Sequence, residues 1–302
     1  MQVVKRDGSL EDVDLDKIVR RVTIAADGVA NVDPMSIATA VVSGLADGTT
    51  TTELDLLAMR AAAGRIAQEP EYSVLAARLL SSVIAKEVGL SGVACFGDGL
   101  FLAHRHRLVS DAVLATYADG DHAAAYEAIL EGSSDDMFTF FGLQTVYDRY
   151  LLRHPETRKV IETPQRFYLR VAMGLTDNPT EAREVYEALS QARFLFGSPT
   201  LFNSGTSHPQ MSSCYLLGSP EDSLSGIMDR SADVAQTAKW AGGVGMALGK
   251  IRSRGSLIHG TNGKSNGVVP WAKIFDAVIG AVDQGGRRRG AAAVYLPTWH
   301  AD

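Results

Sequence analysis

A chain of 302 residues exceeds one ordinary domain, so two or three folding units are expected, and 46% hydrophobic content supplies their cores. The formal charge of -6 leaves no general basic field, which excludes polymeric nucleic acid and an anionic membrane surface as partners. No run nears the roughly 18 apolar residues of a membrane span, Met1 to Gly8 lack a signal-peptide core, and two cysteines form no framework, so a cytoplasmic location is expected.

Val3 to Val13 reads as two short extended runs around Asp7-Gly8, a hairpin signal. Asp14 then caps a helix carrying Leu15, Ile18, Val19 and Val22 on one face, with Gly28 at its end. A second helix opens at Asp33-Pro34 and carries Ile37, Val41, Val42 and Leu45 as far as Gly48. A third follows the threonine run 49–52, with Thr52 and Asp55 near capping-box spacing. A fourth covers about Glu71 to Glu87 and stops at Gly89. This hairpin and four helices predict an autonomous module over 1–90.

Residues 91–195 read as mainly helical, with a polar break at Ser133-Ser134-Asp135-Asp136. Thr163-Pro164 starts one helix (Phe167, Val171), and Thr180 caps the next (Val185, Leu189). From 196 to 302, helices alternate with short apolar runs such as Tyr215-Leu216-Leu217 and Ala291 to Leu296. That alternation predicts βα units and a parallel sheet or barrel. The fold class is thus α+β passing into α/β.

Any phosphate ligand needs a local arrangement. Lys5 and Arg6 flank the tight turn, Thr51 lies at a helix start and Lys86 near a helix end. Exposed backbone N–H groups there, with the two lysines, can bind a polyphosphate, although Lys-Arg-Asp-Gly also suits a plain solvated turn. Ala241 to Gly249 is glycine-dense but fails the dinucleotide fingerprint, since Leu248 occupies the third-glycine position. Gly263-Lys264-Ser265 lacks the earlier glycine of a Walker loop. Arg287, Arg288 and Arg289, bracketed by glycines, form either a surface loop or a fork-donating phosphate contact.

Cys214 opens a strand, where a lone cysteine is ordinarily an inert core residue; a redox role needs a second thiol or a nearby base. Cys95 is read as structural. His104-Arg105-His106-Arg107 lacks an acidic or thiol companion, and no metal site is expected.

Further patterns appear in series. Val4 to Ser9 is followed by Leu15-Asp16-Lys17-Ile18, Leu75-Ala76-Ala77-Arg78-Leu79 and Glu162-Thr163-Pro164-Gln165. Gly197 to Asn203, Ser212-Ser213-Cys214, Lys239 to Gly245, Gly260 to Gly263, Asp283 to Gly286 and Tyr295 to His300 complete it. In this order they resemble the large subunit of class I ribonucleoside-diphosphate reductases. The resemblance implies an ATP-cone, a helical region, and the first half of a ten-stranded α/β barrel. It implies reduction of a ribonucleoside diphosphate at the 2′-hydroxyl, started by a cysteine thiyl and completed by a dithiol.

By position, the resemblance makes Cys214 a member of the dithiol and Thr200, Ser213 and Gly243 substrate-binding residues. ATP or dATP is expected at Lys5, Glu11, Asp12, Val13, Asp14, Leu15, Asp16, Lys17, Thr51 and Lys86. Deoxynucleotide effectors are expected at a specificity site of Asp222, Ser223, Leu224, Lys239, Arg252, His259 and Gly260, with Gln284 and Arg289 on the reporting loop. His259 departs from relatives that place an arginine there.

The implied partners are a radical-generating small subunit carrying the metal cofactor, a thioredoxin- or glutaredoxin-type reductant, a second copy of the large subunit, and the remainder of the barrel. The family's thiyl cysteine, second dithiol cysteine and catalytic carboxylate are expected beyond Asp302. On this expectation the chain is a fragment or a split half, inactive alone, because a disulfide needs two sulfurs. A non-catalytic nucleotide-sensing fragment is the alternative, and the cobalamin-dependent class of the superfamily is a third reading.

Overall fold

The computed structural model describes residues 1–240, 242–282 and 290–302. They form two compact units, the first of residues 1–195 with 205–207 and the second of 196–204 with 208–302.

In the first unit, β1 (Gln2–Val4) pairs antiparallel with β2 (Leu10–Asp12), placing Val3 opposite Glu11. Gly8 at φ +85° allows the tight connection, as the Asp7-Gly8 signal predicts. Asp14 caps α1 (Leu15–Ala25) by accepting from the Lys17 N–H. Leu15, expected on the buried face, is 48% exposed, because the stripe is covered only from Ile18 onward; Val22 is fully buried.

The Asp33 carboxylate caps α2 (Pro34–Ser43), which ends at Gly44 rather than Gly48. Gly48 instead sits in a left-handed turn and donates its N–H to the Gln2 carbonyl. In α3 (Thr51–Ala63) the capping box is Thr50–Glu53, not Thr52–Asp55. That two-residue difference frees Asp55 to point inward, where it is 3% exposed. In α4 (Tyr72–Leu90), Leu75, Leu79, Leu80, Val83 and Ile84 lie in the core, and the helix runs one residue past Gly89.

Next come α5 (Phe96–Arg105), α6 (Asp111–Ala118), α7 (His122–Ile129), α8 (Phe140–Arg149), α9 (Pro164–Met173) and α10 (Pro179–Ser190). Asn178, not Thr180, caps α10, because Pro179 already occupies the first helical position. Of the ten residues of α9, only Arg166 is not buried, so the helix is a core rod rather than an amphipathic one. Its Arg170 is wholly buried and held by Glu162, with Nε to Oε2 and Nη2 to Oε1 both at 2.9 Å.

The second unit holds α11 (Ser198–Asn203), β3 (Cys214–Leu217), α12 (Leu224–Lys239), β4 (Gly243–Ala247), β5 (Leu257–Ile258), β6 (Gly263–Lys264), α13 (Val269–Ala281) and β7 (Ala292–Tyr295). The strands β3-β4-β7 form a parallel sheet in that order, with α12 as the crossover between the first two. Three parallel strands among the described residues make an open sheet, fewer than half of the ten expected from the barrel resemblance.

Ile227 and Val234 of α12, Val244 and Met246 of β4, and Phe275 and Ile279 of α13 build the core. Strand alternation therefore turns Cys214, Leu216, Gly243 and Gly245 to the opposite face. Among the described residues no helix packs on that face: Leu216 is 81% exposed, and Gly245 is covered only by Leu216 and Tyr295. Among the described residues no helix is long and apolar enough to cross a membrane.

Candidate nucleotide-binding and active sites

A cavity of about 600 Å³ opens in the first unit between the hairpin, α1, the start of α3 and the end of α4. Lys5, Glu11, Asp12, Val13, Asp14, Lys17, Thr51 and Lys86 all line it. Leu15 and Asp16 do not, because the first turn of α1 directs them outward.

The floor is built on Asp55, which accepts from Arg6 Nη2 at 2.5 Å and Lys86 Nζ at 2.9 Å and also pairs with Arg21. Three cations on one carboxylate leave a local excess of two positive charges. The Nε and Nη2 atoms of Arg21 are buried without a partner. Burial, with the Arg21 and Arg6 charges beside it, pulls Lys86 down to about 8. Burial and neighbouring Arg6 likewise lower Arg21 to about 10.

At the rim, Glu11 holds both Lys17 (2.5 Å) and Lys5, and their hydrogen bonds and charges lower its carboxyl to about 2. Asp7 is occupied by Ser9, Asp12 by Gln2, and Asp14 by the Lys17 N–H. A cationic floor with orphaned guanidinium nitrogens fits a polyphosphate, whose oxygens would complete its hydrogen bonds. Ile18, Val22, Leu54 and Leu90 supply an apolar wall of the kind a base can lie against.

In the second unit, a cavity of about 370 Å³ is lined by Asp222, Ser223, Leu224, Arg252, His259 and Gly260, with Ile227, Ile258 and Trp271 behind them. Arg252 donates from Nε to Asp222 Oδ2 at 2.7 Å, from Nη2 to the Asp222 carbonyl and from Nη1 to the Leu257 carbonyl. Ser223 caps α12 by accepting from the Gly226 N–H at 3.1 Å. Lys239 is not in this cavity: it ends the same 16-residue helix, about 24 Å from Ser223 by helix rise, and its Nζ lies 5.1 Å over the Trp240 ring.

On the open sheet face, Cys214 pairs in register with Gly243, whose N–H donates to the Ser213 carbonyl at 2.9 Å. Thr200 on α11 donates to the Met211 carbonyl at 3.2 Å. A Cβ on Gly197 would come within 2.7 Å of Ser213 Oγ, so the start of α11 meets the start of β3. Thr200, Ser213, Cys214 and Gly243 are thereby gathered. Both cysteines are exposed and unoxidised. The inert-core reading of Cys214 is thus corrected: among the described residues no second layer covers Cys214 on its side of the sheet. Cys95 caps α5, its sulfur accepting from the Asp98 N–H. Gln284 and Arg289 lie outside the described residues. Among the described residues, no group of three or more His, Cys, Asp or Glu side chains is placed to hold a metal.

Three family models match the chain in order: the ATP cone domain over residues 1–87, the ribonucleotide reductase all-alpha domain over 136–209, and the ribonucleotide reductase barrel domain over 212–302. The chain is 41% identical to a ribonucleoside-diphosphate reductase large subunit of Caenorhabditis elegans, covering 99% of this chain and 39% of that protein. It is 40% identical to a large subunit of Dictyostelium discoideum (100% and 36%) and 37% identical to large chain 2 of Saccharomyces cerevisiae (100% and 35%). The chain belongs to the ribonucleotide reductase large-subunit family. It spans about two fifths of the length of the curated relatives it matches.

Of the residues at the heart of this family member's first cavity, Arg21 escapes the sequence reading, Asp55 enters it only as a helix-capping residue, and Arg6 only as a turn residue. A signal for Asp55 does exist. It shares an i, i+3, i+4, i+7 stripe with Ala58, Met59 and Ala62, and a carboxylate on a buried stripe needs cationic partners.

Proposed function

We propose that the chain is the effector-binding and substrate-facing portion of a class I ribonucleoside-diphosphate reductase large subunit. The cavity over Asp55 takes ATP or dATP, with Lys5, Arg6, Arg21 and Lys86 toward the phosphates. The cavity at Asp222 and Arg252 takes a deoxynucleoside triphosphate, with Lys239 reaching such a site only from a second copy of the chain. Thr200, Ser213 and Gly243 hold the ribonucleoside diphosphate against Cys214, and Gln284 and Arg289 report effector to substrate.

The observation that carries this reading is the exposed Cys214 thiol beside Gly243, on a strand face kept flat by glycine. A thiol there can approach a ribose without a side chain intervening. Reducing a C2′–OH to C2′–H with loss of water takes two electrons, so Cys214 and a second cysteine become a disulfide. That second sulfur, and the thiyl that opens the reaction, come from the rest of the large subunit. A small subunit supplies the radical through its own metal cofactor, and a thioredoxin- or glutaredoxin-type protein restores the dithiol. A cytoplasmic location suits two free thiols.

The test is reconstitution of the chain with the rest of the large subunit, the small subunit and a dithiol. Cys214→Ser is near-isosteric, so effector binding should stay intact while turnover disappears. Turnover by the Cys214→Ser complex would overturn the role given to Cys214. A second reading, a nucleotide sensor without catalysis, draws on the first cavity being lined wholly within the first unit. It is favoured if effectors bind and no reconstituted mixture reduces a ribonucleotide.

A further inference from the structure

The segment after β7 runs back along the wall of the second-unit cavity. The Tyr295 carbonyl accepts from the Leu248 N–H at 3.0 Å, and Pro297 packs so close that a Cβ on Gly249 would come within 2.8 Å of its Cδ. Past that turn, His300 and Asp302 each grip backbone of the cavity wall. His300 Nδ1 accepts from the Asp302 N–H at 3.1 Å, so its proton sits on Nε2, which donates to the Ile251 carbonyl at 2.8 Å. The Asp302 carboxylate spans two further points. Its Oδ1 accepts from the Arg254 N–H at 2.7 Å and its Oδ2 from the Val268 N–H at 2.8 Å. Val268 is the N-cap of α13 and offers no side-chain cap, so a carboxylate from outside the helix takes that place. Gly267 makes room for it: φ is +80°, and a Cβ there would overlap Asp302 Oδ2.

We propose that His300 and Asp302 are positioning residues for the Asp222–Arg252 cavity, acting through Arg252. The inference rests on the proposed function, in which that cavity takes a deoxynucleoside triphosphate. Neither residue lines the cavity, so neither needs to touch the ligand. The three backbone groups they hold instead bracket residues that do line it. Ile251 is itself in the lining, Arg254 follows Arg252 by two positions, and Val268 lies between Ser265 and Trp271. With the wall held on both sides, Arg252 keeps Nε on Asp222 and Nη1 on the Leu257 carbonyl. Released, the 251–268 segment would have to be ordered by the incoming ligand, and that ordering costs affinity. The same tether joins the cavity wall to β7, which pairs in register with β4, as β4 does with the strand of Cys214.

Calorimetry with dTTP and with ATP on the 302-residue chain, together with amide exchange followed by NMR, tests it. Asp302→Ala should weaken dTTP binding by about fivefold and leave ATP binding at the first-unit cavity unchanged. Asp302→Asn, whose amide oxygen still accepts from one N–H, should fall between the two. His300→Ala should act in the same direction as Asp302→Ala. The Arg254 and Val268 amides should exchange about tenfold faster in Asp302→Ala. Because the effect runs through Arg252, Asp302→Ala should add little to the loss that Arg252→Ala already causes. Full dTTP affinity in both alanine variants overturns the proposal, as does a loss that adds in full to that of Arg252→Ala. An equal fall in ATP affinity marks a general loss of fold and overturns it as well. If the unaltered chain binds no dTTP, the deoxynucleotide reading fails, and exchange alone judges the tether: unchanged rates at Arg254 and Val268 overturn it, and faster rates support it.

Discussion

Lys86 on α4 donates from Nζ to Oδ2 of Asp55 on α3 at 2.9 Å, and the same carboxylate holds Arg6 and Arg21. One buried anion thus anchors three cations drawn from the hairpin, α1 and α4. Asp55→Ala leaves them facing one another. Removing one partner of a fully buried pair costs about 3–5 kcal/mol. The cations here keep part of their solvent, so about 2 kcal/mol is expected, or roughly 4–8 °C in melting temperature. Added ATP should raise the melting temperature of the variant more than that of the unaltered chain, because phosphate replaces the missing charge. Thermal melts with and without ATP check this; equal ATP shifts would show that phosphate does not meet these cations.

The same cluster makes effector binding depend on pH. Lys86 has its pKa pulled down to about 8 by burial and by Arg21 and Arg6, against an ordinary 10.5. Between those values the unfolded chain binds the proton that the folded chain releases, so this group adds stability as pH rises through that window and adds none below it. A bound triphosphate restores the ammonium. ATP binding near pH 8.5 should therefore take up protons, and affinity should fall as pH rises from 7 to 9. The phosphate's own second ionisation, near pH 6, is complete by then. Titrations in two buffers of different ionisation enthalpy measure the uptake, and Lys86→Gln should abolish it.

Glu162 and Arg170 in the helical core give a sharper stability test. Glu162 Oε1 also accepts from the Leu152 N–H at 2.8 Å, so Glu162→Gln can keep that bond while removing the counter-charge of buried Arg170. A loss of about 3–5 kcal/mol is expected in urea unfolding. The exposed Lys17–Glu11 pair is the contrast: Lys17→Gln should shift the urea midpoint far less. Similar losses for both would show that burial does not set the strength of these pairs.

Arg252 spends donors on Asp222 and on two carbonyls, which fixes the mouth of the second-unit cavity. Arg252→Ala should weaken dTTP binding by about tenfold or more and leave ATP binding at the first cavity unchanged. Lys5→Ala should do the reverse. If either change moves both affinities equally, the two cavities are not separate sites.

Much of this chain was legible before folding, because caps and turns act over a few residues. Asp7-Gly8 gives the hairpin turn, Asp14 and Asp33-Pro34 start their helices, and the strands at Tyr215 and Val294 follow from short apolar runs. Lys5, Thr51 and Lys86 were also within reach, as polar residues at element ends that can meet in one cavity, and Lys17 through the family resemblance. Tertiary structure alone decided what crosses the chain. Asp55 meets Arg6 over 49 positions and Lys86 over 31, and no local pattern encodes that meeting. Exposure was likewise undecided: Leu15 and Cys214 sit in apolar patterns, yet a side chain is buried only if another layer arrives to cover it. Arg170 shows the converse, a charge drawn fully inside because Glu162 lies there to receive it.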